Sequence, residues 1–126
     1  MVMNLGIIGY NKYNGHPYSF SAIINGYDKN HLIKSGWKVI NQYLSKRKKS
    51  EFGIKDVLVS HVWTQDLKYS KSIAKSSFIP NICKDIDDMV GKVDGVIIAR
   101  DDWKSHLKLH LVAPNYVLYA PFHSTI

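Results

Sequence analysis

Residues 4–18 read Asn4-Leu-Gly-Ile-Ile-Gly9-Tyr-Asn-Lys-Tyr-Asn-Gly15-His-Pro-Tyr18. A short apolar run ends in Gly9, a loop rich in glycine and asparagine follows, and Pro17 suits the first turn of a helix. This order predicts a strand, a loop and a helix. That arrangement places a pyrophosphate against a helix N-terminus in dinucleotide-binding domains.

The loop itself matches neither of the two best-known phosphate-binding fingerprints. The spacing from Gly9 to Gly15 is G-x5-G instead of G-x-G-x-x-G, and His16-Pro17 replaces the Lys-Ser/Thr of a Walker A loop. Asn11 and Asn14 tolerate left-handed backbone angles and can replace part of the missing glycines. On spacing alone, a pyrophosphate loop and an ordinary strand-to-helix connection both stay open.

The remainder of the chain alternates between strand and helix patterns. Apolar, β-branched runs predict strands at 4–9, 57–63, 93–99 and 116–119, with a short one at 80–83. Helical spacing, or capping by Asp28, Asp66 and Asp102, predicts helices at 17–26, 28–33, 66–78, 85–90 and from 102 onward, and one from 37 into the basic run at 46–49. The stripe of the first helix is predicted to be Phe20, Ile23, Ile24 and Tyr27. The alternation predicts an α/β fold with an open, mostly parallel, Rossmann-like sheet and helices on both faces.

Composition indicates one globular domain over residues 1–126. Hydrophobic residues make up 45% of the chain, and no run of 18 apolar residues predicts a membrane span. The single cysteine, Cys83, excludes an internal disulfide and favours a cytoplasmic location, where we expect it to be buried and inert. Residues 46–49 form the densest basic run of a chain with net charge +7. We interpret the run as the end of a helix in preference to a nucleic-acid-binding patch, although both readings fit.

Ligands of an open α/β sheet bind where the strands end, which directs attention to two further loops. The loop at Trp63, Thr64 and Asp66 offers a carboxylate that can accept hydrogen bonds from a ribose or cap the next helix. The loop at Ala99, Arg100 and Asp101 offers a cation for phosphate and carboxylates for a ribose or a cap. The six histidines show no metal-ligand pattern beyond the pair His106/His110, which lacks the Glu of H-E-x-x-H. No metal site and no catalytic residue is predicted.

Four stretches of the chain resemble the N-terminal domain of the glucose–fructose oxidoreductase / inositol dehydrogenase / MocA family. They are Gly6-Ile-Ile-Gly9, Asn14-Gly-His-Pro-Tyr-Ser-Phe-Ser-Ala-Ile-Ile-Asn-Gly-Tyr-Asp28, His61-Val-Trp-Thr-Gln-Asp66 and Val96-Ile-Ile-Ala-Arg-Asp-Asp102, with His106 four residues later. The resemblance covers about residues 4–109, and the stretch 14–28 is its most specific part. It implies a Rossmann-type domain that binds NAD or NADP, with NAD favoured because of Asp66.

The resemblance also implies which residues contact the cofactor. The pyrophosphate would be lined by Gly9, Tyr10, Asn11, Asn14, Gly15 and His16. Trp63, Thr64 and Asp66 would surround the adenosine ribose, and Ala99, Arg100 and Asp101 would border the nicotinamide.

The chain departs from this family near its C-terminal end. The family carries a Glu/Asp-Lys-Pro motif after the helix that bears His106, whereas residues 116–121 here read Tyr-Val-Leu-Tyr-Ala-Pro. Similarity fades from about residue 110, and we expect the substrate domain of the family to be absent. We therefore expect the cofactor domain of an oxidoreductase for sugar- or polyol-like substrates, truncated and incomplete as a catalyst by itself. Two alternatives stay open: one part of a split or homo-oligomeric dehydrogenase, and a basic nucleic-acid-binding module.

Overall fold

The computed structural model describes residues 2–9, 14–99 and 117–119, the last three by their backbone alone. The strands are β1 (Met3–Ile8), β2 (Val57–Trp63), β3 (Asn81–Ile82), β4 (Gly95–Ile98) and β5 (Val117–Tyr119). The α-helices are α1 (His16–Asn25), α2 (Lys29–Lys34), α3 (Lys38–Ser45) and α4 (Leu67–Ser77), with short 3-10 helices at Lys49–Glu51 and Ile86–Met89. The predicted strands and the helices between residues 17 and 90 are confirmed within a few residues at their ends. The helix predicted from Asp102 lies outside the described residues.

The five strands form one parallel sheet in the order β3-β2-β1-β4-β5. Its central strand, β1, pairs with β2 on one side and β4 on the other. The register with β2 shifts between Leu5 and Gly6, because Leu5 pairs with Val59 and Gly6 with His61. This order is that of a Rossmann-like fold, so the predicted fold class is confirmed.

Two apolar clusters cover the two faces of the sheet. The larger cluster joins Ile7 and Val59 of the sheet to Ala22 of α1, Leu44 of α3 and Ile73 of α4. The smaller one joins sheet residues such as Ile8 and Ile98 to Met89 of the second 3-10 helix and to Cys83. In the described part of the chain, all four α-helices thus contribute to one face.

The buried face of α1 differs from the predicted stripe. Tyr18, Ser21 and Ala22 are fully or almost fully buried, whereas Ile23 is 36% exposed. Phe20, Ile24 and Tyr27 are only partly buried against the same cluster. Three of the four predicted residues therefore contact the core, and Ile23 does not. The buried surface extends beyond the predicted stripe because α1 is enclosed by the sheet, α3 and α4.

Aspartate caps fix the starts of two helices as predicted. The Asp28 side chain accepts a hydrogen bond from His31 N at 3.1 Å, and Asp66 accepts one from Lys68 N at 2.9 Å. The bond from the His31 backbone lowers the pKa of the Asp28 carboxyl below its ordinary value. The basic run at 46–49 was predicted to end this helix, but α3 ends at Ser45 with Lys46 as its C-cap, so most of the run follows the helix. No helix in the described ranges is long and apolar enough to cross a membrane.

Candidate functional site

The carboxyl ends of three adjacent strands bring Gly9, Thr64 and Ala99 to one edge of the sheet. Gly9 N donates to Trp63 O at 3.1 Å, and Ala99 N donates to Ile8 O at 2.7 Å. Residues from three separate predicted loops are therefore neighbours. Four other predicted site residues, Tyr10, Asn11, Arg100 and Asp101, lie outside the described residues, as do His106 and His110.

Gly9 is required by the close approach of α1 to the end of β1. A Cβ atom there would overlap Pro17 Cγ and lie 3.3 Å from Ala99 O. Close packing of a helix against a strand is one recognised role of glycine in dinucleotide-binding loops. The absent side chain lets the N-terminus of α1 lie directly over the strand end.

Gly15 is constrained by Ile40 and Trp37, a contact that was not predicted from the sequence. A Cβ at Gly15 would overlap Ile40 Cδ1 and lie 3.0 Å from Trp37 Cε3. Both of these residues belong to the start of α3, which therefore covers one side of the loop. Sequence spacing gave no indication of this contact, because α1 and α2 lie between Gly15 and α3 in the chain.

The first turn of α1 satisfies several of its own backbone donors. Buried Asn14 accepts a hydrogen bond from His16 N through Oδ1 at 3.0 Å. Pro17 has no N–H, and Tyr18 N donates to Gly15 O at 3.0 Å. The backbone N–H of His16 is thus already engaged with the side chain of Asn14.

The His16 imidazole is the least satisfied polar group of this region. It is 2% exposed and stacks flat on Phe20, with ring centroids 4.9 Å apart. Within the described ranges, neither Nδ1 nor Nε2 has a hydrogen-bond partner. A buried polar group without a partner is costly, so these nitrogens can gain free energy by binding a ligand.

Thr64 is held in place by Ser70, a residue that was not predicted to support the site. Thr64 N donates to Ser70 Oγ at 3.0 Å, and the two hydroxyls are 2.8 Å apart. Thr64 Oγ1 also donates to Asp66 O at 2.5 Å. These contacts fix the turn, so that Asp66 is exposed and caps α4 with one carboxylate oxygen. A serine inside a helix carries no distinctive sequence signal for this role.

A small cavity opens between the ends of β2 and β3. Its volume is about 210 Å³, and its walls include Thr64, Gln65, Cys83 and Lys84. Trp63 Nε1 donates to Lys84 O at 3.2 Å and so ties the two strand ends together. Cys83 and Lys84 were not predicted to lie at this site, because the short strand at 80–83 carried no sign that it ends next to Thr64.

Cys83 is buried, at 4% exposure. Burial, with a smaller contribution from the charge of Asp88, raises the pKa of its thiol. We expect Cys83 to react with a disulfide reagent at pH 8 on the order of 100-fold more slowly in the native protein than in urea. Release of thionitrobenzoate measures both rates. Equal rates would show that the thiol is accessible in the folded chain.

The described part of the chain holds no group of three or more residues that could bind a metal ion. The candidate site consists of the loops at the carboxyl ends of the strands, with Gly9, His16, Thr64 and Ala99. The site offers hydrogen-bond donors, the carboxylate of Asp66 and a small cavity.

Comparison with solved structures supports the fold assignment. The chain is similar to the crystal structure of apo scyllo-inositol dehydrogenase from Lactobacillus casei and to the structure of that apo enzyme at 77 K. Each match has a TM-score of 0.58 and 16% sequence identity, and covers 96% of this chain. The chain spans 29% of the dehydrogenase's length. No protein-family model and no curated protein sequence matches the chain.

Proposed function

We propose that this chain is a nicotinamide-dinucleotide-binding domain of an oxidoreductase. The observation that carries the proposal is the buried His16 imidazole, whose two nitrogens have no partner among the described residues. The next residue, Pro17, packs against Gly9 at the end of β1. In open α/β sheets this edge, next to the central strand, is where ligands bind. The likeness to an inositol dehydrogenase supports the same conclusion at the level of the fold.

The pyrophosphate of the cofactor lies, in this proposal, against Gly9 and the start of α1. Because Asn14 already accepts from His16 N, the imidazole of His16 is the group that donates to a phosphate oxygen. Tyr10, Asn11 and Gly15 belong to the same proposed loop. The N-terminal end of α1 adds a favourable dipole for the anion.

The adenosine half lies, in this proposal, along Trp63, Thr64 and Asp66. Asp66 uses one carboxylate oxygen to cap α4, and the second oxygen can accept from ribose hydroxyls. A carboxylate at this position repels a 2′-phosphate, so we propose NAD over NADP. The adjacent cavity at Gln65 and Lys84 is the space available to the adenine edge.

The nicotinamide side is assigned to Ala99, Arg100 and Asp101. A nicotinamide cofactor, when bound, supplies hydride transfer. We assign no residue of this chain to proton transfer, and we propose sugar- or polyol-like substrates because of the family resemblance and the likeness to scyllo-inositol dehydrogenase. The groups that bind such a substrate would come from a further domain, a separate chain or a second copy.

Calorimetric titration with NAD and NADP tests this proposal. We expect NAD to bind with a dissociation constant of about 1 mM or tighter, and NADP to bind more weakly. His16→Phe retains the stacking on Phe20 and removes both nitrogens. It should weaken NAD binding about 10-fold, because a hydrogen bond to a charged group is lost.

Lys55→Gln is the control, since Lys55 is exposed just before β2, at the opposite end of that strand from Thr64. This variant should bind NAD as the parent does. Absence of NAD binding by the folded parent chain would overturn the proposed function. Equal affinity of parent and His16→Phe would overturn the role of His16 alone.

A further inference from the structure

A second groove lies at the opposite edge of the sheet from Gly9 and Thr64. Its volume is about 490 Å³, and it opens where α1 and α4 end and β2 is about to begin. Three aromatic and three cationic side chains line it: Tyr27, Phe52, Phe78, Lys29, Arg47 and Lys49. Two of the cations belong to the basic run that the dinucleotide proposal leaves without a role.

Hydrogen bonds hold the floor of this groove. Asn25 Nδ2 donates to Val59 O and Ser77 O, each at 2.9 Å, and Asn25 Oδ1 accepts from Val59 N at 2.8 Å. Gly53 N donates to Ile23 O at 2.9 Å, which ties the segment before β2 to the end of α1. The groove is therefore formed by fixed backbone.

Phe78 combines two unfavourable features at one position. Its side chain is 58% exposed, and its backbone has a φ of 57°, in the left-handed region that favours glycine or asparagine. The position ends α4 by donating its N–H to Ala74 O, a role that glycine fills with less strain. The backbone conformation does not require phenylalanine, and the exposed part of its ring is open to a ligand.

The other side chains supply complementary chemistry. Tyr27 and Phe52 pack edge to face, with ring centroids 5.1 Å apart, and form an aromatic wall. The Arg47 guanidinium carbon lies 5.1 Å from the ring centroid of Tyr43, and Arg47 donates a hydrogen bond to the Tyr43 hydroxyl. This bond uses one of the five N–H donors of the guanidinium, so the others are available to a ligand. Of the described residues that line the groove, none is acidic. Stacking surfaces next to cations are the means by which proteins bind single-stranded nucleic acid.

We propose that this groove binds a nucleotide unit, with the base stacked on Phe78 and the phosphate held by Lys29, Arg47 and Lys49. The unit belongs either to a single strand or to a free nucleotide. This site lies at the other edge of the sheet from the NAD site and goes beyond the proposed function. Either proposal can be wrong without affecting the other.

Fluorescence anisotropy with a labelled 12-nucleotide oligouridylate tests the site, and calorimetry with uridine monophosphate distinguishes the two sources. Phe78→Asn removes the ring and keeps a residue that accepts the backbone angle. It should weaken binding about 10-fold without lowering the melting temperature, because a stacked base is lost. Lys49→Gln should reduce the slope of log affinity against log salt by about 0.7, as expected when one phosphate contact is removed.

Lys71→Gln is the matched control, since Lys71 lines a separate groove between α2 and α4 that four lysines share. Affinity and salt slope should remain those of the parent. Strand binding without monophosphate binding identifies a strand site, and comparable binding of both identifies a free-nucleotide site. Failure of both ligands to bind, or an unchanged affinity of Phe78→Asn, would overturn the proposal. NAD titration of Phe78→Asn should match the parent, which separates the two sites.

Discussion

Asn25→Ala is expected to lower the free energy of unfolding by about 3 kcal/mol, because three hydrogen bonds of a partly buried amide are lost. Strand β3 pairs with β2 only at His61 and Val62, so the backbone of Val59 relies on Asn25 for its N–H and its C=O. The same amide binds Ser77 O at the end of α4. Removal would leave three backbone groups without these partners. Urea denaturation followed by circular dichroism measures the change.

The control for this experiment is Asn30→Ala, because Asn30 is exposed on α2. Surface substitutions of this kind change stability by less than about 0.5 kcal/mol. A loss below about 1 kcal/mol for Asn25→Ala would show that water replaces the amide. The role assigned to Asn25 would then be wrong.

Gly9→Ala is expected to destabilise the fold by about 2 kcal/mol, since overpacking of a fitted contact typically has this cost. The added Cβ would overlap Pro17 Cγ and approach Ala99 O. Relief would require α1 to move away from the end of β1, which also opens the proposed pyrophosphate site. We therefore expect NAD binding to weaken together with the stability.

A double-mutant cycle with Pro17→Ala provides the control. In the Pro17→Ala background the overlapping Cγ is absent, so Gly9→Ala should cost about 1 kcal/mol less than in the parent. Thermal melts of the four proteins measure the coupling. Strict additivity would contradict the packing role of Gly9.

The sequence was most informative where local chemistry decides the structure. Asp28 and Asp66 were predicted as helix caps from their position before helical runs, and both accept the expected backbone N–H. The apolar strand runs at 57–63 and 93–99 were equally clear. Such features depend on a few neighbouring residues, so a single sequence suffices to find them.

The sequence was least informative where residues far apart in the chain meet. The contact of Gly15 with Trp37 and Ile40, and the support of Thr64 by Ser70, depend on tertiary placement. Asn25 shows the same limit, because an asparagine at a helix end is usually explained by capping. Cys83 and Lys84, which follow β3 and line the cavity beside Thr64, depend on tertiary placement in the same way.

The position of β1 at the centre of the sheet has a consequence for the order of folding. Met3 pairs with Val57, and Leu5 pairs with Gly95, so β1 leaves the ribosome well before either of these strand partners. Such sequence-distant, parallel pairing makes folding slow, because a large loop must close before any contact compensates for it. During synthesis, the apolar residues of β1 therefore stay available to other chains or to chaperones.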